Sequence, residues 1–461
     1  MKLIMLTLFT LLYTGGCALV HPTNSGVPVE DLRFLQEEIP VPSPKHTQPL
    51  ELSGEMTLDR CIETALQNNP ELAASDWDVA ASVARVKQAQ ASRWPSLGVE
   101  ANVAQYLDNQ RLIPTRYNGE PGDFDDQIVR QDLVLRLPIF TGGRITNEIR
   151  AAELLRQAQE GNLTRTRDEL IFNVSSTFYA ILGQRKVLRS IEFSMQAMEE
   201  NHKQVAELLA VQKAAKVDLL RTEVRQADLK QSLVREENVL AIQKRVLANL
   251  LGLDYRSERL SFEGKLQFEP VDYDADRLLA AALQDRPDYQ AAKSRLEAQA
   301  RRVDIARAGH WPTVSVLGAY GLRADFKGDA EDAGAVGLGM SIPLFEGGRV
   351  VAKVNEEKAA LAAAQERLRR LELQIRQEVE TALLDVRSNR ERVKAVEKAI
   401  EQAKESLRIE RMKYDLGMGA IVDVLDAQSA LLQSETSYYR ALADFRSAIA
   451  RLKLATGGKL S

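Results

Sequence analysis

The chain of 461 residues is poor in the side chains that do chemistry. Its two cysteines, Cys17 and Cys61, are too few for a disulfide framework or a metal knuckle. The four histidines, His21, His46, His202 and His310, are scattered, and no HExxH or Walker loop occurs. GAVGLG at 334–339 fits the dinucleotide-binding glycine pattern only in reverse and falls on a strand pattern. The eight methionines are spread out, with Met340, Met412 and Met418 in packing positions, so they form no relay for a soft metal. Charge is balanced, 61 Lys+Arg against 65 Asp+Glu, and aromatics are only 6%, which excludes the basic, aromatic-laced surface of a nucleic-acid binder. The expectation is a protein that is not an enzyme and holds no metal or cofactor.

Proline is missing where it matters. None of the fifteen prolines lies between 139 and 269, or beyond 343. Proline costs about 3 kcal/mol inside a helix, so these two tracts can hold long uninterrupted helices. Their richness in alanine, leucine, glutamate, arginine and glutamine suits long packed helices.

What is present comes twice. LPIFTGGR (137–144) and IPLFEGGR (342–349) stand 205 residues apart. ALQNNPEL (65–72) faces ALQDRPDY (282–289), and SRWPSLGVEANV (92–103) faces GHWPTVSVLGAY (309–320), both at an offset of 217. The first copy therefore carries twelve extra residues between its Trp-Pro and Pro138. The 205 offset also matches VDLL (217–220) with VDVL (422–425), and Gly252 with Gly457. Two repeats, 58–252 and 275–457, follow, joined by a linker at 253–274.

Each repeat opens with a helix that ends near Trp-Pro and then alternates. Leu97, Val99, Ala101 and Val103 share one face, as do Leu133, Leu135, Leu137 and Ile139, opposite Asp132 and Arg136. The second repeat sets Val314, Val316, Tyr320 and Leu322, then Val336, Leu338, Met340, Ile342 and Leu344, on one face. Hairpins are expected at 96–140 and 313–345, the first with a solvent-exposed loop at 108–127. A period of two over about ten residues suits either a membrane-spanning β-strand or a soluble hairpin with one buried face. Lipid would require several chains to share a barrel, because open edges are not tolerated there and the smallest bacterial barrels have eight strands. After each Gly-Gly-Arg the period becomes helical, with Leu361, Ala364, Leu368, Leu371 and Ile375 spaced by three and four. The spacing predicts helices over 143–210 and 348–414, each about 100 Å long. Gly417 and Gly419 in YDLGMGA (414–420) mark a turn; VQKAAKVDLL (211–220), its counterpart, has no glycine.

The N-terminus reads as a signal peptide over 1–16. Its apolar run LIMLTLFTLLY (3–13) is shorter than the about 20 residues that cross a bilayer. TGGC (14–17) resembles a bacterial lipobox, with Thr14 where leucine is usual, so Cys17 is a candidate for lipidation; the other reading is an ordinary residue of a cleaved signal. Residues 17–57, rich in proline and polar side chains, read as an extended tail.

YDLGMGAIVDVLDAQSALLQSE (414–435), the two P-[IL]-F-x-G-G-R turns, the ALQxxP starts and the Trp-Pro strand starts resemble the TolC-like outer-membrane efflux family over about 57–457. The resemblance implies a mainly α chain with a transmembrane β portion. It implies a homotrimer whose four strands per chain form one 12-stranded barrel in outer-membrane lipid, continued by a helical barrel across the periplasm of a Gram-negative cell. It implies a passive exit duct fed by an inner-membrane pump through a periplasmic adaptor. Protein secretion is an alternative cargo. A periplasmic adaptor and a coiled-coil scaffold fit less well, since no lipoyl-like halves flank a single hairpin and the chain carries an export signal. The resemblance places Tyr414 and Asp218 at gate-contact positions and Gly419 where the family prototype has an arginine. Asp423 and Asp426, at i and i+3, share one helix face. That face either forms two rings of carboxylates around a three-fold axis, attracting cations, or leaves Asp423 at the helix dipole and Asp426 in solvent.

Overall fold

A computed structural model describes residues 55–111, 124–253, 261–270, 272–324 and 330–458. All belong to one compact unit, Lys45–Ser461. The signal peptide, Cys17 and nearly all of the tail lie outside the described residues.

The chain begins with strand β1 (Glu55–Met56) and helices α1 (Leu58–Asn68) and α2 (Pro70–Ala91). A long hairpin follows, β2 (Ser96–Arg111) and β3 (Phe124–Phe140), then α3 (Arg144–Ala210) and α4 (Lys216–Leu250). β4 (Ser261–Phe262) pairs in parallel with β1. The second half repeats the order with α5 (Ala275–Asp285), α6 (Pro287–Arg307), β5 (Thr313–Ala324), β6 (Ala330–Ser341), α7 (Arg349–Asp415) and α8 (Ile421–Ala455). α3 and α7 have 67 residues each, and α4 and α8 have 35 each.

The repeated sequence produces repeated dihedrals. Gly142 and Gly143 sit at φ 61° and 82°, Gly347 and Gly348 at 59° and 82°. Two consecutive left-handed residues turn each β-strand into the following helix, and side chains with a Cβ resist that conformation. This is why the same short phrase occurs twice.

Of the expected seam only Ile375 is buried; Leu361, Ala364, Leu368 and Leu371 are half-buried, and the buried stripe of α7 against α8 runs on from Ile375 through Val379, Ala382, Val386 and Val393. No helix among the described residues is long and apolar enough to cross a membrane. The sheet has the order β2-β3-β5-β6, antiparallel throughout, and β2 and β6 end as open edges. Its apolar side chains line up across strands in register. Leu97 opposes Leu135, Leu133 opposes Tyr320, and Val316 lies between Leu137 and Leu338. Leu97, Val99, Val336, Leu338 and Met340 are all exposed in the single chain. The other face carries Glu100, bridged to Arg136 at 3.4 Å, and Asp132, held by Arg130 at 2.8 Å and Arg323 at 2.5 Å.

Two expectations need correction. The loop expected at 108–127 is partly strand: after a register shift past Gln105, Gln110 and Arg111 pair with Asp125 and Phe124, leaving 112–123 outside the described residues. β6 stops at Ser341, so Ile342 and Leu344 lie past the strand. Pro343 cannot donate to a ladder. Its counterpart Pro138 stays inside β3 beside a bulge between Pro138 and Phe140.

The helix turns at the far end share a left-handed residue of different type. Gly417 (φ 74°) closes α7, with Met418 N donating to Lys413 O at 2.8 Å and Gly417 N to Tyr414 O at 2.9 Å. This is a Schellman cap. Gln212 (φ 59°) occupies the same place after α3, and Lys213 N donates to Leu208 O at 2.8 Å. It is the one non-glycine residue with positive φ among those described. Gln212→Gly should raise stability to denaturant by about 1 kcal/mol, because it removes the left-handed penalty of a side chain. An unchanged or lower midpoint would show that Gln212 is held there without strain.

Candidate functional site: the paired helix tips

The α3–α4 turn (211–215) and the α7–α8 turn (416–420) lie at the same end of the molecule, because Met198 and Val205 of α3 pack with Ile421, Val424 and Leu425 of α8. Leu219, Leu229, Leu407 and Tyr414 close round this small apolar cluster. Both returning helices start from the same extended residue, Ala215 (φ −88°, ψ 148°) and Ala420 (φ −95°, ψ 148°).

Spacing puts Asp423 and Asp426 on one exposed face, yet they do different work. Asp423 Oδ2 accepts from its own helix start, Ala420 N, at 3.4 Å. The carboxylate also opposes the positive end of the α8 dipole there. Asp426 Oδ1 instead accepts from Arg225 Nη2 of α4 at 2.9 Å, linking the two hairpins. The pair is exposed (41% and 63%), so its own strength is at most about 1 kcal/mol. Asp218 is taken by Arg221 at 3.4 Å on its own helix. Tyr414 is half-buried; burial first, then the charges of Asp218 and Asp415, push its phenol above the ordinary value. Tyr414 and Asp218 are thus neighbours, without a hydrogen bond between them among the described residues. Gly419 is a tight place for a side chain: a Cβ would stand 3.0 Å from Lys413 Cβ and 3.2 Å from Tyr414 N.

Sequence reasoning missed a buried polar clamp further along the hairpins. Gln428 is 5% exposed; its Nε2 donates to Ser194 O at 3.1 Å and its Oε1 accepts from Asn201 Nδ2 at 3.0 Å. Higher still, Gln184 Nε2 donates to Glu236 Oε2 at 2.8 Å, and Arg440 meets the same carboxylate at 3.1 Å. Burial would raise Glu236, but the Gln184 hydrogen bond and the Arg440 and Arg235 charges outweigh it and hold the carboxyl below its usual range. The exposed Arg225–Asp426 pair, buried Gln428, and half-exposed Arg440 on the buried Glu236 carboxylate therefore tie the hairpins together. The signal in sequence was Gln428 itself, inside the VDVLDAQ phrase, with no clue to partners more than two hundred residues away.

Comparison with known proteins agrees with this architecture. The family model described as outer membrane efflux protein matches residues 61–253 and 278–458. The toluene efflux pump outer membrane protein TtgI of Pseudomonas putida is 23% identical over 99% of this chain and 98% of its own. The outer membrane protein TolC of Escherichia coli is 22% identical over 83% of this chain and 78% of its own. The crystal structure of the Campylobacter jejuni CmeC outer membrane channel superposes with a TM-score of 0.76 at 17% identity, covering 96% of this chain and 91% of that one. With both repeats matched, the two long helical hairpins and the four-stranded sheet are those of the outer membrane efflux protein family, and the chain belongs to it.

Proposed function

We propose that three copies of this chain close one 12-stranded barrel and one helical tunnel, which together form the exit duct of a tripartite efflux system. Family membership makes the chain an outer-membrane efflux channel protein of a Gram-negative cell. The observation that carries the trimeric reading is the open sheet. Its four strands present a continuous apolar face and two unpaired edges, β2 and β6. In lipid such edges must be satisfied, and a head-to-tail ring of β6 against the next chain's β2 satisfies them. Twelve-residue strands rise about 40 Å; tilted as in closed barrels they cover about 30 Å, the thickness of a bilayer core. Trp94 and Trp311, exposed at the starts of β2 and β5, fit the aromatic girdle at one membrane face.

In this reading solute reaches the tips from an inner-membrane pump through a periplasmic adaptor. Tyr414, Asp218, Asp423 and Asp426 then form the periplasmic mouth, shaped by the turns at Gly417 and Gly419. The Arg225–Asp426 pair and the apolar cluster around Ile421 hold it shut. Lipid on Cys17 would add a second anchor to the same membrane. The test is single-channel recording in planar bilayers. The wild type should give uniform, cation-selective steps. Asp423→Ala with Asp426→Ala should reduce cation selectivity several-fold while raising conductance, because the hairpin link is lost together with the charge. Unchanged selectivity would remove these two carboxylates from the mouth. Inserted protein that never conducts, even in this variant, would contradict the duct.

A further inference from the structure

Halfway down α3 the molecule carries a groove whose charge contradicts its overall balance. It runs between one face of α3 and the segment that follows β4. Its lining includes the buried Leu182 and Phe262, the cations Arg185, Lys186, Arg189 and Lys265, and Thr57. Residues 182, 185, 186 and 189 fall at i, i+3, i+4 and i+7, so they share one helix face. The chain as a whole has a formal net charge of −4, and many of its arginines are paired within their own helix turn. Here the pattern fails: none of these four cations meets a carboxylate among the described residues. Arg185 donates only to the backbone carbonyl of Phe262. The groove lining holds one carboxylate, Glu263, against these four cations.

We propose that this groove docks the anionic cell-wall polymer of the periplasm through the carboxylates of its stem peptides. The inference rests on the duct reading above, which fixes where the groove lies. From Arg144, at the foot of the sheet, to Arg185 is 41 helical residues, or about 60 Å below the membrane-embedded strands. β1, β4 and α1 pack over α3 beside it through Met56, Phe262 and Cys61. An added layer of this kind belongs on the outer wall of a tunnel, since inside it would obstruct the passage. A duct that crosses the periplasm must pass through the wall, and the wall polymer is extended, fixed in place and rich in carboxylates. Four cations that meet no carboxylate among the described residues, along an open groove, complement such a strand, as apposed opposite potentials do at other interfaces. A small anion would need only one or two of them.

The experiment is co-sedimentation of the purified, detergent-solubilised full-length protein with peptidoglycan sacculi. Wild type should bind, with binding falling as salt rises. Lys186→Gln, Arg189→Gln and Lys265→Gln together should weaken it about tenfold, since each exposed pair is worth a few-fold. Arg185 is kept because it supports Phe262. A control triple, Lys358→Gln, Lys398→Gln and Lys404→Gln, removes the same charge elsewhere and should bind like wild type. Failure of the wild type to sediment with sacculi, or equal weakening in both triples, would overturn the proposal. Trimer formation and conductance are scored on the same preparation. Their loss would indict the duct reading, whereas their retention with no sacculus binding indicts this inference alone.

Discussion

Arg286→Ala is expected to cost the helical region about 3 kcal/mol of unfolding free energy, the lower end of what breaking a buried ion pair costs. Arg286 is 1% exposed at the joint where α6 begins and α8 ends. Its guanidinium holds Asp288 at 2.6 Å, Glu378 at 2.7 Å and the carbonyl of Ala455 at 3.3 Å. Burial works against the charge, and the two carboxylates outweigh it, holding the guanidinium above and Asp288 below their ordinary values. Removing the arginine leaves Asp288 only the Tyr289 N–H and Glu378 only the Gln374 amide as donors, and frees a helix-end carbonyl. Asp288 and Glu378 are 22% and 34% exposed, so water relieves part of the penalty, which sets the lower end of the range. The first repeat solves the same joint without charge: Asn69 accepts from the N–H groups of Glu71 and Leu72 and donates to Leu250 O at 3.0 Å. Arg286→Asn should therefore retain more stability than Arg286→Ala. Denaturant unfolding followed by far-UV dichroism measures both, and equal stability of the wild type and both variants would show the charge network to be idle.

Gly321→Ala should prevent a stable barrel. A Cβ at this position would stand 1.7 Å from Gln131 O and 2.7 Å from both Asp132 Cα and Asp132 Oδ1. Gly321 lies opposite Asp132 in the β3–β5 pair, the ladder that joins the two repeats. Alanine forces that ladder apart and displaces the Asp132–Arg323 bridge beside it, whose side chains are only 8% and 12% exposed. No rotamer change relieves a clash with backbone. Gly337, also in the sheet, has nothing within 4 Å of a would-be Cβ, so Gly337→Ala serves as the matched control. The readout is the detergent-resistant oligomer on a gel. Persistence of that oligomer in Gly321→Ala would mean the β3–β5 register slides to accommodate the methyl.

The long elements were legible because they obey one period for many residues. α3 and α7 begin within one residue of the glycine pairs that announce them, and α7 ends at the Gly417 cap. The alternating faces of β2, β3, β5 and β6 read correctly for the same reason as far as the bulge at Ile139 and the end of β6 at Ser341, with register fixed by side-chain alternation. The α3–α4 turn was visible only through the repeat, since Gln212 gives no local sign of a left-handed residue. β1 and β4 are two residues each and carry no period at all.

The site was less legible. Asp423 and Asp426 look equivalent by spacing, but one caps its own helix and the other takes Arg225 from a distant one. Nothing near Arg286 in the sequence announces that Glu378 and Ala455 will close over it. Local pattern decides faces and ends; partners across the fold are decided by packing.

The central claim is that this chain is complete only as a shared barrel, and the mass of the detergent-extracted protein, corrected for bound detergent, tests it most directly. Extracted from the outer-membrane fraction, it should weigh three times the chain. A monomer recovered from the soluble periplasm would contradict the account, since β2 and β6 would then be ordinary open edges and the sheet's apolar face would lie in water.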